Sequence, residues 1–253
     1  MSNKIKLEVP NEISYVIVQC FSKAREEIRE YTGKQNFITK NGIPFQFWDL
    51  LNNAIDTAFN SSNFKAYKSK RGRWRMIFIY DKNSKYLYVL MREQRYKELH
   101  NNINKREKMH YVDILTKAFN RDLKAPIEQL SFFSIEFDNE DKVEIYLQKL
   151  IDSINKDGAI IEHHVLLLFN QTAEYELTLT SIRAVMVDTN LNIVSEQNLS
   201  SYISIEESTV VEKVDKTNPA ANNPTLGLKL TAKADARKKT HPLKKAKKEE
   251  DAK

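Results

Sequence analysis

The chain has 253 residues, 41% hydrophobic and 29% charged, which suits one large domain or two small ones with a sizeable core. A single cysteine, Cys20, excludes a disulfide framework and a cysteine-based metal site and points to a reducing compartment. The net charge of +6 sits entirely beyond residue 208, where eleven Lys and one Arg meet three Glu and three Asp; residues 1–208 balance 28 basic against 28 acidic residues, which excludes a uniformly basic body.

The opening "MSNKIKLEVPNEISYVIVQCF" has no long apolar block after a basic flank, so neither a signal peptide nor a membrane span is expected there. Residues 11–31 read as an amphipathic helix, with Ile13, Val16, Ile17, Cys20, Ala24, Ile28 and Tyr31 at three- and four-residue spacing. Pro10 and Asn11 suit its start and Thr32-Gly33 its end. In this setting Cys20 is a buried thiol rather than a nucleophile. A turn at "KNGIP" (40–44) leads to a second helix, Phe45 to Phe59, with Trp48, Leu51, Ala54, Ile55, Ala58 and Phe59 on one side and Pro44 at its start.

Residues 64–81, "FKAYKSKRGRWRMIFIYD", carry six cations and no acid before Asp81. Residues 73–80 and 86–92 alternate with a period of two around the turn "DKNSK" (81–85), whose Asp, Asn and Ser bond their own backbone. This is a hairpin, apolar on both faces near its turn and basic where its first strand emerges. Alternation puts Trp74 opposite Arg73 and Arg75, so a joint surface needs a bulge or twist, for which Gly72 is the device.

Residues 94–108 read as a polar helix or an exposed loop, and Tyr111 to Phe119 as a short amphipathic helix. Pro126 is a break. "SFFSIEF" (131–137) is strand-like, and Asp138 or Asn139 caps a helix running to Asn155 and ended by Gly158. Its acidic first turn, in "FDNEDKVE" (137–144), complements the helix dipole and asks for no cation. Residues 160–205 read as strands, with the turn "VDTNLN" chemically like "YDKNSK". Helices followed by a hairpin occur in each half, a loose repeat of architecture without repeated residues.

The expected class is α+β, with antiparallel sheet built from hairpins packed against amphipathic helices. The expected division is a half at 1–125, a half at 126–208 (or one continuous body 1–208), and a disordered Lys-rich tail at 209–253 that lacks aromatics and cannot bury enough apolar surface to order itself. "LGLKL" (226–230) is its one apolar segment.

Four constellations carry chemistry. In the tail, Arg237, Lys238, Lys239, Lys244, Lys245, Lys247 and Lys248 form a cluster that attracts phosphates without sequence preference, or simply solubilises. Lys65, Tyr67, Lys68, Lys70, Arg71, Arg73, Trp74 and Arg75 interleave aromatics with cations, as single-stranded nucleic acid needs, and Arg92, Arg95 and Lys97 extend the patch. The competing reading is that the aromatics pack inward and the cations blunt an edge strand.

In "EHH" (162–164), with Glu174 and Glu176 nearby, adjacent histidines point to opposite strand faces and cannot share a metal. A turn near 170–173 would set His164 opposite Thr180. Asp81 with Glu93-Gln94-Arg95 resembles a restriction-type nuclease layout, but Arg stands where Lys is needed; "DLK" (122–124) and "EDK" (140–142) lie in helical or loop contexts. Gly33, Gly42, Gly72, Gly158 and Gly227 are too dispersed for a phosphate loop, and no serine is Gly-flanked as a nucleophile. No cofactor and no metal is expected.

These features predict a non-enzymatic, cytoplasmic nucleic-acid-binding protein whose binding is non-specific and salt-dependent. Abundant Lys, Asn and Ile suggest an AT-rich bacterial or phage source and a role in defence, counter-defence or replication. The alternatives are a protein-interaction module or inhibitor that docks a protein partner, and a metal-dependent nuclease.

Overall fold

A computed structural model describes residues 5–203, apart from residues 36, 62, 72–73, 126–144, 146–147, 150, 153, 155–156 and 173–175 and the side chains of 70 and 71. The expectations for 131–137, for the start of the helix after 138, for Glu174 and for the Lys-rich tail lie outside the described residues.

Helix α1 (Asn11–Lys34) starts after Pro10, with Glu12 in its first turn, and buries Ile13, Ile17, Cys20, Phe21, Ala24 and Ile28. The apolar stripe runs out before the last turn, where Tyr31 is exposed rather than inward. Helix α2 (Ile43–Ala58) has Pro44 in its first turn and buries Phe47, Leu51, Ala54 and Ile55. Trp48 is only half-buried and Ala58 is exposed, so the inward stripe is rotated towards Phe47.

The basic stretch folds differently from the single emerging strand expected. Residues Phe64–Arg71 form strand β1 and Trp74–Asp81 form β2, paired antiparallel from Phe64↔Asp81 to Arg71↔Trp74. The pairing runs without a register shift up to Arg71↔Trp74, so the basic stretch is two strands and not one. Strand β3 (Tyr86–Arg92) follows the Asp81 turn. There Asp81 Oδ1 accepts from the Asn83 amide at 2.9 Å and Oδ2 from the Ser84 hydroxyl at 2.7 Å. Helix α3 (Glu93–Asn101) begins directly at the end of β3. Helix α4 (Tyr111–Phe119) has its first turn fixed by Asp113, which accepts from the His110 amide and, through both oxygens at 2.7 Å, from Arg106.

Strands β4 (His163–Gln171), β5 (Leu179–Val187) and β6 (Ile193–Asn198) complete one six-stranded sheet in the order β1-β2-β3-β4-β5-β6. Four of its five pairings are antiparallel hairpins, and the architecture is α+β. The central pair departs from the hairpin pattern: β3 and β4 run parallel, joined by a helical crossover that contains α3, α4 and helical backbone within 145–154. A parallel pair cannot be joined by a tight turn, which is why this long segment separates them. Both strands are buried on both faces, as central parallel strands require.

Helices α1 and α2 cover one face, packing on Ile79, Tyr88, Leu90, Val165, Leu167 and Phe169. Residues of α3 and α4, with Ile151 and Ile154, cover the other, on Phe78, Tyr80, Leu87, Val89, Leu166 and Leu168. The β6 edge meets the extended N-terminal segment, where the Leu7 amide donates to Ser195 Oγ at 2.9 Å and the Val9 amide to Gln197 Oε1 at 2.7 Å. The opposite edge is β1 with its lysines. No helix among the described residues is long and apolar enough to cross a membrane.

Candidate functional site

Strands β2 and β3 pair over only four positions, from Asp81↔Tyr86 to Phe78↔Val89, although both continue beyond. Carried on, the register would set Arg75 directly against Arg92 on one face, an unfavourable like-charge pair. Instead the strands part. The gap is a cleft of about 330 Å³ that runs from Trp48 and Asn52 of α2, between Trp74–Ile77 and Val89–Arg92, to Arg95 of α3 and to His110 and Tyr111 at the start of α4. Among the described residues, three arginines line it and no carboxylate does. A wider hollow of about 940 Å³ shares its α2 and β2 walls and reaches Asp49, Asp56, Lys68 and Lys149.

The sequence-predicted residues divide around this cleft. Trp74 is 42% exposed and meets Phe45 and Trp48 edge to face, with centroids at 6.1 and 6.2 Å. Trp48 in turn meets buried Phe169 at 5.6 Å, so a run of rings anchors the exposed indole to the core. Arg75 and Arg92 are exposed and have no ion-pair partner among the described residues. Arg95 pairs with Glu98 at 3.0 Å and still lines the cleft.

Tyr67 is a correction. It is 5% exposed, faces the α3–α4 side, and donates its hydroxyl to Asp157 at 2.8 Å, so it offers no stacking surface. Burial, followed by that hydrogen bond, pushes its phenol well above the ordinary range. Lys65 pairs with the same Asp157 at 2.7 Å, and Lys68 with Asp56 at 2.7 Å, which locally offsets both charges. The Lys65 and Tyr67 hydrogen bonds hold the Asp157 carboxyl below the usual carboxylate range. Lys97 extends towards Glu93 at 3.7 Å rather than towards the patch. The side chains of Lys70 and Arg71, all of Arg73, and the tail residues lie outside the described residues.

The other candidates do not assemble. Asp81 and Glu93 flank opposite ends of β3, on the order of 20 Å apart along the strand. Glu93 is engaged with Arg183 through both oxygens, at 2.7 and 3.1 Å. Among the described residues no group of three His, Cys, Asp or Glu is placed to hold a metal.

His163 and His164 do face opposite ways: His163 Nδ1 lies 3.1 Å from the Phe119 carbonyl, while His164 is fully buried with both ring nitrogens unpartnered. Desolvation lowers its pKa to about 3, so it is neutral. His164 does not oppose Thr180; the β4–β5 link runs on to residue 178, with a register shift at Asn170/Gln171, and the pairing Leu166↔Val185 directs His164 towards Val187.

The sequence reading missed Phe45, Trp48 and Asn52 as site residues. They recur at positions i, i+3 and i+7 on one stripe of α2, and the same periodicity that locates a core face absorbed Trp48 into it. His110 and Tyr111 carried no signal, because their place depends on where β2 leaves β3.

No curated protein and no solved structure matches the chain. A family model does match residues 6–247, nearly its whole length, and the chain belongs to that family, described as a family of unknown function (DUF5986).

Proposed function

We propose that this is a non-enzymatic nucleic-acid-binding protein acting inside the cell, with the cleft between β2 and β3 as its site. What supports the reading is the arginine lining. Arg75, Arg92 and Arg95 converge on one opening that no carboxylate among the described residues lines, and two of them have no ion-pair partner among those residues. Guanidinium groups in that state favour phosphate, which they bind through paired N–H donors. Trp74 beside them adds a ring for base stacking. The Lys-rich tail supplies a second, sequence-independent attraction that raises encounter rates and weakens in salt.

The test is fluorescence anisotropy of labelled DNA and RNA oligonucleotides across a salt series. The proteins are the full chain, a full-length variant with Arg237, Lys238, Lys239, Lys244, Lys245, Lys247 and Lys248 changed to Gln, and that variant carrying Arg75→Ala and Arg92→Ala. The tail variant retains binding at low salt. Removing the two arginines lowers the slope of log affinity against log salt by about 1.4 for a single strand. If the tail variant binds no nucleic acid, the cleft is not the site. Cleavage on adding Mg²⁺ would point to the nuclease reading instead.

A protein-docking reading is favoured by one separate observation. Phe37 and Ile38, in the α1–α2 link, are exposed at 41% and 101% beside exposed Tyr31. Immobility of those side chains on nucleic-acid binding, together with capture of a defined protein that Ile38→Asp abolishes, would support it.

A further inference from the structure

Resting on the reading above, we propose that the cleft takes an unpaired nucleotide of a single strand, with its base against Trp74 and its phosphates on Arg75 and Arg92, and that it excludes duplex. Three features of the cleft argue for this. The first is size: about 330 Å³ is the low end of small-ligand sites and holds one flat ring with its sugar, whereas a duplex about 20 Å across reaches only the rim. The opening lies within a sheet, between strands that elsewhere hydrogen-bond to each other, so between the strands it is a slot, which shares its α2 and β2 walls with the wider hollow.

The second feature is the indole. Trp74 keeps 42% of its surface exposed while Phe45 and Trp48 hold it edge to face, so its ordering is already accomplished before a base arrives. The third is hydrogen bonding. Where β2 and β3 part, the backbone groups that would have joined them face the slot unpaired with one another. With the Asn52 amide, they match the mixed donor–acceptor edge of a base, which is free in a single strand and occupied in a duplex.

The chain offers its own reporter, because its only two tryptophans, Trp48 and Trp74, both line the slot. The experiment follows intrinsic fluorescence of the full-length tail variant titrated with dodecamers of dT and of rU, and with a duplex of mixed sequence, at low salt. The single strands quench the emission saturably. The duplex binds more weakly and leaves the emission unchanged. Trp74→Leu weakens single-strand binding about tenfold, while Trp74→Phe, which keeps a ring, stays within about threefold of the parent. A preference of rU over dT would assign a 2′-hydroxyl contact within the same site.

Equal affinity for single strand and duplex overturns the proposal, and so does equal weakening by Leu and Phe at position 74. If Arg75→Ala with Arg92→Ala abolishes binding while Trp74→Leu does not, the nucleic-acid reading stands and the unpaired-base inference falls. If none of these probes binds the tail variant, the reading itself falls.

Discussion

His164 is buried without a hydrogen-bond partner for either ring nitrogen, and burial lowers its pKa from 6.5 to about 3. The unfolded chain therefore binds a proton that the folded chain refuses between those values. Stability from this group is complete above about pH 6.5 and is lost as pH falls towards 3, by about 1.4 kcal/mol per pH unit. Urea unfolding at pH 7 and pH 5 should show the parent losing about 2 kcal/mol more than His164→Leu. Since the imidazole makes no hydrogen bond, the leucine variant should fold at pH 7 with little penalty. Cys20 behaves analogously: burial pushes its thiol up to about 12, and iodoacetamide at pH 8 should leave it unmodified in the folded chain and alkylate it rapidly in urea. Both environments were partly legible in the sequence. Helical spacing placed Cys20 inward, and strand alternation separated the two histidines. The residue across the sheet from His164 was not legible, because β5 starts only at Leu179 and the register shifts at Asn170/Gln171, and no residue in "EHHVLLLFNQ" reports either.

Elements forecast from local periodicity lie close to where they were expected: α1, α2, α4, β2 and β3 differ by at most a few residues at their ends. Periodicity is a property of consecutive residues, so consecutive residues reveal it. Pairing is not. That β3 and β4 lie parallel, and that residues 64–71 form a strand against 74–81, depends on segments finding distant partners. One side chain ties this arrangement together. The Asn120 amide, at the end of α4, donates to the carbonyls of His164 and Val187 at 2.9 and 3.0 Å and accepts from the His164 amide at 2.8 Å. Asn120→Ala leaves three buried backbone groups unmatched and should cost about 3 kcal/mol in urea unfolding. Asn120→Asp, which keeps the size and removes both donors, should not restore the loss.

At the scale of the whole molecule, charge and shape separate. Residues 1–208 are neutral in sum, so any attraction for a polyanion must be local. The stretch 64–75 looked like one basic–aromatic surface, yet folding distributes it: Lys65 and Lys68 meet Asp157 and Asp56, Tyr67 turns inward, and Trp74 and Arg75 join Arg92 and Arg95 at a slot where the sheet divides. About half of the site was thus named from sequence. The rest was not, because the slot exists where strand pairing stops, and sequence marks the start of a hairpin far better than its end. The central claim is that nucleic acid sits in this slot. The most direct measurement is photocrosslinking of the full chain to a 5-iodouracil single strand, with the linked peptide mapped by mass spectrometry after cleavage at aspartates. Crosslinks on the fragment carrying Trp74 are the expected result, reduced in Arg75→Ala with Arg92→Ala. Crosslinks confined to residues 237–248 would contradict the account.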